Sequence, residues 1–315
     1  MTIDPQAQAV LDAIAQAEAA GRPKSETLEP DAARQQYRET RAAVTPEVPE
    51  VALSEDLRVP GPGGEIPLRF YRPAGSTENQ ALPVLVYYHG GGWVFGDLES
   101  HDVVCRALAN AGGFAVCSVD YRMGPEDKFP AAVDDAKAVV DWLAAGAGGR
   151  AVEAGRLALG GDSAGGNLAA VVALLAREQG PDIAFQALIY PATSMLRDTP
   201  SHEEFGEGYL LTAAMQMWCQ NHYLNGPADQ TDWRASPLLA DDLSGLPPAF
   251  VLTAGFDPLR DEGRAYAERL RAAGVATTLR CFEGQIHGFI TMGKVIDAAH
   301  EAIAETAGQV AAALI

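Results

Sequence analysis

A serine between two glycines stands at the most chemically suggestive point of this 315-residue chain. The segment Leu157-Ala158-Leu159-Gly160-Gly161-Asp162-Ser163-Ala164-Gly165-Gly166-Asn167-Leu168 passes from an apolar run into a helical pattern through Gly-x-Ser-x-Gly. Acyl transfer by a serine needs this layout. The hydroxyl must stand exposed on a sharp, strained turn, and glycines on either side remove the side chains that would collide there. The helix opening at the turn aims its N–H groups and positive end at the spot where negative charge would develop. With 32 glycines in the chain, random placement would give roughly 0.1 such matches, so the position between strand and helix outweighs the letters. The rival is an ordinary glycine-rich turn with an N-capping serine. A second run, His89-Gly90-Gly91-Gly92-Trp93, follows the apolar stretch Val84–Tyr88. Consecutive glycines let the backbone approach a ligand closely with free N–H donors. A phosphate-binding loop is its obvious rival, but the Gly-Lys-Ser/Thr ending is missing.

These motifs need a scaffold, and the alternation of patterns supplies one. Strands are predicted near Leu57–Val59, Ile66–Arg72, Pro83–Tyr88, Phe114–Val119, Arg156–Gly160, Phe185–Tyr190, Ala249–Ala254 and Thr277–Phe282. Several are nearly continuous apolar runs, which suit strands buried on both faces of a mostly parallel sheet. Helical patterns lie between them near 101–110, 131–143, 164–178, 262–273 and 294–314. The expectation is an α/β fold with helices on both faces of an eight-stranded, mostly parallel sheet. The first two strands, joined through Gly61-Pro62-Gly63-Gly64, read as an antiparallel hairpin at one edge. Two regions break the alternation. Residues 1–45 read as two helices, Pro5–Ala20 and Asp31–Val44, and 195–235 carry another at about Thr212–Tyr223. Neither is large enough to fold alone. The expected organisation is therefore a helical cap segment at 1–45 and a catalytic domain at 46–315 with a cap insertion at about 195–235.

With both motifs in hand, the chain resembles the hormone-sensitive-lipase-like group of bacterial esterases, within the α/β-hydrolase superfamily. Three further stretches carry the likeness: Asp120-Tyr121-Arg122-Met123-Gly124-Pro125-Glu126, Asp257-Pro258-Leu259-Arg260-Asp261-Glu262-Gly263 and His287-Gly288-Phe289. The Met123-Gly124 and Asp127-Lys128 pairs depart from the group's usual residues, away from the reacting positions. The resemblance implies a Ser163–His287–Asp257 triad. It also implies an oxyanion hole made by the backbone N–H groups of Gly91, Gly92 and Ala164, and a carboxylesterase acting on small esters.

The residues agree with that mapping on their own terms. The chain order Ser163…Asp257…His287 is the order of this fold. Asp257 follows a buried strand at the sheet edge where ligands bind in open α/β sheets. Only His287, of six histidines, lies in a loop before the C-terminal helix with flanking glycines, Gly284 and Gly288. Asp261 and Glu262 are rivals for the acid role, in a first helical turn that favours acids anyway. Asp162 is expected to point aside into a structural hydrogen bond, and His89 to hold the glycine loop. His101 reads as a local cap or pair, His202, His222 and His300 as solvated, and Trp93 as a wall of the pocket or a core residue. The implied reaction is ester hydrolysis through an acyl-enzyme, with no metal or organic cofactor. Because the base must be neutral, activity is expected to rise through a histidine titration around pH 6–7.

Charge and composition narrow the partners. There are 42 acidic against 23 basic residues, a net charge of −19 that repels nucleic-acid phosphates and anionic lipid headgroups. No apolar run reaches the length of a membrane span. The amino terminus lacks a basic, apolar leader, and four scattered cysteines fit reduced thiols, so the expected setting is cytoplasmic. The expected partners are small-molecule esters, with a homodimer implied by the resemblance. A lipase or amide hydrolase with the same triad is the rival activity, and a non-catalytic small-molecule receptor is the rival class. A receptor on this fold is expected to lose the histidine that stands here as His287.

Overall fold

A computed structural model describes residues 2–314, and its sheet has eight strands in the order β1-β2-β4-β3-β5-β6-β7-β8. The strands are β1 (Leu53–Gly61), β2 (Gly64–Arg72), β3 (Leu82–Tyr88), β4 (Ala115–Val119), β5 (Val152–Asp162), β6 (Phe185–Ile189), β7 (Ala249–Phe256) and β8 (Thr277–Ile286). The hairpin β1–β2 forms one edge as expected, and β2 also pairs antiparallel with β4. From β4 to β8 every pairing is parallel.

The apolar runs make sense in this register. Along β3, Val84, Val86 and Tyr88 enter the core on one face, while Leu85 and Tyr87 enter the core on the other. Alternate side chains point to opposite faces, so a strand covered on both sides must be apolar throughout. Helices α4 (Ala131–Ala144), α5 (Ala164–Gln179) and α8 (Arg260–Ala272) bury residues in the first core. Helices α3 (Asp102–Gly112) and α9 (Ala298–Leu314) bury theirs in the second.

Several boundaries differ from expectation, beginning with β1, which starts at Leu53 rather than Leu57 and runs on to Gly61. Strand β5 begins at Val152, four residues early, because Val152 pairs with Leu82 outside the apolar stretch. Strand β8 runs on to Ile286, which pairs with Phe256 after a register shift. Helix α9 starts at Ala298 rather than near 294.

Helices α1 (Pro5–Ala19) and α2 (Pro30–Val44) each open on proline, whose missing N–H costs nothing in a first turn. Asp4 caps α1 by accepting from the Gln6 N–H at 2.8 Å. Arg34 and Arg38 fasten α2 to the body through Glu126 at 2.7 Å and Asp97 at 2.6 Å. The 195–235 region folds into α6 (Pro200–Glu204) and α7 (Ala213–Tyr223). On α7, Trp218 stacks on Phe95 at 5.2 Å and Tyr223 on Trp93 at 4.6 Å.

Candidate active site

Strand β5 ends at Asp162 and α5 begins at Ala164, so Ser163 alone makes the turn. Its backbone sits at φ 57°, ψ −118°, a region that costs a non-glycine residue about 1–3 kcal/mol. The strain is held by neighbours. The Ser163 N–H donates to the Ile189 carbonyl at 2.9 Å, and its carbonyl accepts from Asn167 at 3.1 Å and Ala192 at 3.2 Å. The flanking glycines are a steric requirement: a Cβ on Gly161 or Gly165 would overlap the Tyr88 carbonyl oxygen.

The turn presents the Ser163 hydroxyl to His287, whose Nε2 lies 2.9 Å from the serine Oγ. The same ring's Nδ1 lies 2.8 Å from Asp257 Oδ2. Asp257 is fully buried, and its second oxygen accepts the Leu259 N–H at 2.9 Å. With Nδ1–H donated to the carboxylate, Nε2 carries the lone pair that accepts the serine proton. The two rival acids are engaged elsewhere. Asp261 pairs with Arg260 at 2.7 Å and accepts the Ser201 N–H at 3.0 Å. Glu262 accepts the Thr193 and Ser194 N–H groups and faces His202 at 3.2 Å.

The glycine loop lies over the same turn. Gly91 and Gly92 have φ of 127° and 60°, conformations that favour glycine, and a Cβ on Gly92 would meet Cys219 Sγ at 2.5 Å. Their N–H groups find no acceptor among the described residues. Ala164 opens α5, where first-turn N–H groups lack helical partners. Asp162 ties loop and turn together. Its Oδ1 accepts the Gly90 N–H at 3.0 Å and the Tyr87 hydroxyl at 2.9 Å, and lies 3.2 Å from His101 Nε2. Burial pushes this carboxyl up, but the His101 ring and the Tyr87 hydroxyl outweigh it and hold it down at about 2. His89 holds the loop from below through Nδ1 and the Gly90 carbonyl at 3.0 Å, and burial, then nearby His101, lowers it to about 4.

Asp162 thus points aside and His89 braces the loop, as expected, whereas His202 is not the solvated side chain expected. That histidine is buried, with Thr199 Oγ1 at 2.7 Å and Glu262 at 3.2 Å, because α6 folds onto the start of α8. Its partner is 60 residues away, and nothing local announces it. His101 likewise finds Asp162, 61 residues on, besides its neighbour Ser100. Trp93 is buried against Tyr223 and also lines the cavity.

That cavity has a volume of about 1070 Å³ and opens from Ser163 and His287 toward α1, α2 and α7. Its walls near the triad include Trp93, Phe95, Met195 and Leu210. Cys219 lines it too, its thiol pushed up to about 12 by burial. The four cysteines are unpaired, and no helix among the described residues is long and apolar enough to cross a membrane.

A strained serine, a histidine and a buried acid in one hydrogen-bonded line, at the end of a mostly parallel sheet, define a serine hydrolase of the α/β type. Comparison with known proteins agrees. The family model for the alpha/beta hydrolase fold matches residues 85–291. Ethyl acetate hydrolase of Pseudomonas putida is 39% identical over 307 residues, 96% of each chain. The carboxylic ester hydrolase LipN of Mycobacterium tuberculosis is 49% identical over 244 residues, 75% of this chain and 64% of that one. This chain thus spans just under two thirds of LipN. An ester-hydrolase from the metagenome of Lake Arreo, solved with a derivative of bipyridine phosphonate, superposes with a TM-score of 0.96 at 44% identity over 99% of each chain. The chain belongs to the α/β-hydrolase family, among the bacterial hormone-sensitive-lipase-like carboxylesterases. It is a carboxylic ester hydrolase.

Proposed function

We propose that Ser163 is the nucleophile, His287 the general base and Asp257 its orienting acid, in hydrolysis of short- to medium-chain acyl esters. The observation that carries this reading is the continuous line from Ser163 Oγ to His287 Nε2 at 2.9 Å and from Nδ1 to Asp257 at 2.8 Å. Neutral His287 takes the serine proton as Oγ bonds to the ester carbonyl carbon. Asp257 fixes the imidazole tautomer and steadies the imidazolium. The carbonyl oxygen becomes an oxyanion and accepts hydrogen bonds from the Gly91, Gly92 and Ala164 N–H groups, each worth about 2.7–4 kcal/mol in the barrier. Collapse expels the alkoxide, which takes the proton from His287 Nε2. Water then enters by the same route and releases the acid.

In this reading 1–45 and 195–235 cap the catalytic domain at 46–315. Support comes from α1, α2 and α7 lining the cavity. Its volume suits a medium acyl chain with a modest alcohol. Exposed large apolar side chains such as Val48, Met217 and Val295 are few, which favours dissolved esters over a fat surface. Unpaired cysteines fit a reducing cytoplasm, and β8, the edge strand opposite β1, is where a second copy would pair.

Initial rates on p-nitrophenyl esters from acetate to palmitate test the acyl preference. The expected maximum lies at short to medium chains, with palmitate slower by about a hundredfold. A maximum at palmitate would make the enzyme a lipase.

A further inference from the structure

We propose that Arg41 binds a carboxylate on the alcohol portion of the substrate, so that the preferred esters are acylated hydroxy acids. This rests on the esterase reading above and adds a substrate class to it.

Arg41 lies on α2 and lines the cavity that holds Ser163 and His287. One guanidinium nitrogen, Nη1, donates to Thr291 Oγ1 at 3.0 Å, and the group lies over the Tyr37 ring at 5.0 Å. Nη2 faces the backbone beside the base: a Cβ placed on Gly288 would stand 3.4 Å from it. Nε is buried and has no protein partner among the described residues. No carboxylate of those residues lies within 4.0 Å of this cation, whereas on the same helix Arg34 has two and Arg38 has one. Acids are not scarce, at 42 against 23 bases. Glu18, Glu26 and Glu39 line the same cavity together with Arg22 and Lys24, yet none of the three acids reaches Arg41.

A partly buried guanidinium without a counter-charge is costly. An anionic ligand removes that cost, because the planar fork matches a carboxylate in two parallel, charge-assisted hydrogen bonds. The side of the substrate follows from the chemistry. The carbonyl oxygen must face Gly91, Gly92 and Ala164, and the departing alkoxide must reach His287 Nε2. Gly288, Thr291 and Met292 continue the wall next to His287, and Arg41 stands over that wall. An anion held there therefore belongs to the alcohol, not to the acyl group.

The test uses ω-acetoxyalkanoates with two to five methylenes, each paired with its primary amide, which keeps the shape and removes the charge. In the wild type, kcat/KM for the carboxylate is expected to exceed that for its amide by about tenfold at one length. In Arg41→Gln the ratio is expected to fall to about one. Arg41→Met, which keeps an apolar stem against Tyr37, is the second neutral variant should the first fail to fold. Equal rates for carboxylates and amides at every length in the wild type would overturn the proposal without any variant. So would an unchanged ratio in a folded neutral variant. Hydrolysis of neither member of any pair would overturn the esterase reading as well.

Discussion

Single residues in this site are governed by what surrounds them, and their titration makes that measurable. His89, lowered to about 4 by burial and by His101, stays neutral in the fold well below the usual 6.5. The unfolded chain takes up that proton first, so the contribution of His89 is complete above 6.5 and lost by about 4. Asp162, held at about 2 against the usual 3.8, contributes fully above 3.8 and loses it only in strong acid. Asp120 has the opposite sign. Burial, then nearby Asp97, raises its carboxyl to about 6, so the fold holds its proton more tightly than the unfolded chain does. Asp120 therefore destabilises the protein above pH 6, and the penalty fades as pH falls toward 3.8. Asp120→Asn is expected to raise stability by roughly 1–2 kcal/mol at pH 7–8, with the gain gone at pH 4. Thermal unfolding across that range checks it, and a variant that destabilises equally at every pH would contradict the sign.

At the level of elements, the strand–turn–helix unit β5–Ser163–α5 is the precision part. Its glycines differ in what they do, and the structure separates them. A Cβ on Gly165 would run into the Tyr88 backbone, whereas one on Gly155, earlier in β5, meets nothing within 4 Å. Gly165→Ala is expected to cost about 3 kcal/mol and most of the activity, because backbone cannot step aside as a side chain can. Gly155→Ala is expected to change stability by about 0.5 kcal/mol or less. Chemical denaturation of the two variants decides it, and equal losses would contradict the steric account. The motif letters made the role of Gly165 legible beforehand, since the chemistry itself demands the turn. The early start of β5 is not legible, since Glu153 and Gly155 look like loop and lie in the register shift between the Val152–Leu82 and Leu157–Val84 pairs. For the same reason β8 reads shorter than it is: Gly284 and Gln285 carry no strand signal, and Ile286 joins only through Phe256.

The whole molecule places a sheet-end site beneath helices that come from two distant parts of the chain. Period and burial made the sheet legible, because strands covered on both faces leave unbroken apolar runs. Contacts between distant segments are legible in one partner at most. Asp162 and Glu262 stand out in the sequence, the first aimed into a structural hydrogen bond and the second a candidate acid, but their partners His101 and His202 do not, nor does Arg41 over Gly288. Arg41 in particular carries no signal of its own within the expected helix Asp31–Val44, and only the fold brings it to the cavity. On the proposed mechanism, the whole fold serves to expose one activated serine. The most direct test treats wild type and Ser163→Ala with p-nitrophenyl butyrate and with a reactive p-nitrophenyl phosphonate, then locates the adduct by mass spectrometry. A loss of kcat by about 10⁵-fold or more in the variant is predicted, with one phosphonate per wild-type chain on Ser163 and none on the variant. Retained turnover in Ser163→Ala, or an adduct on another residue, would contradict the account.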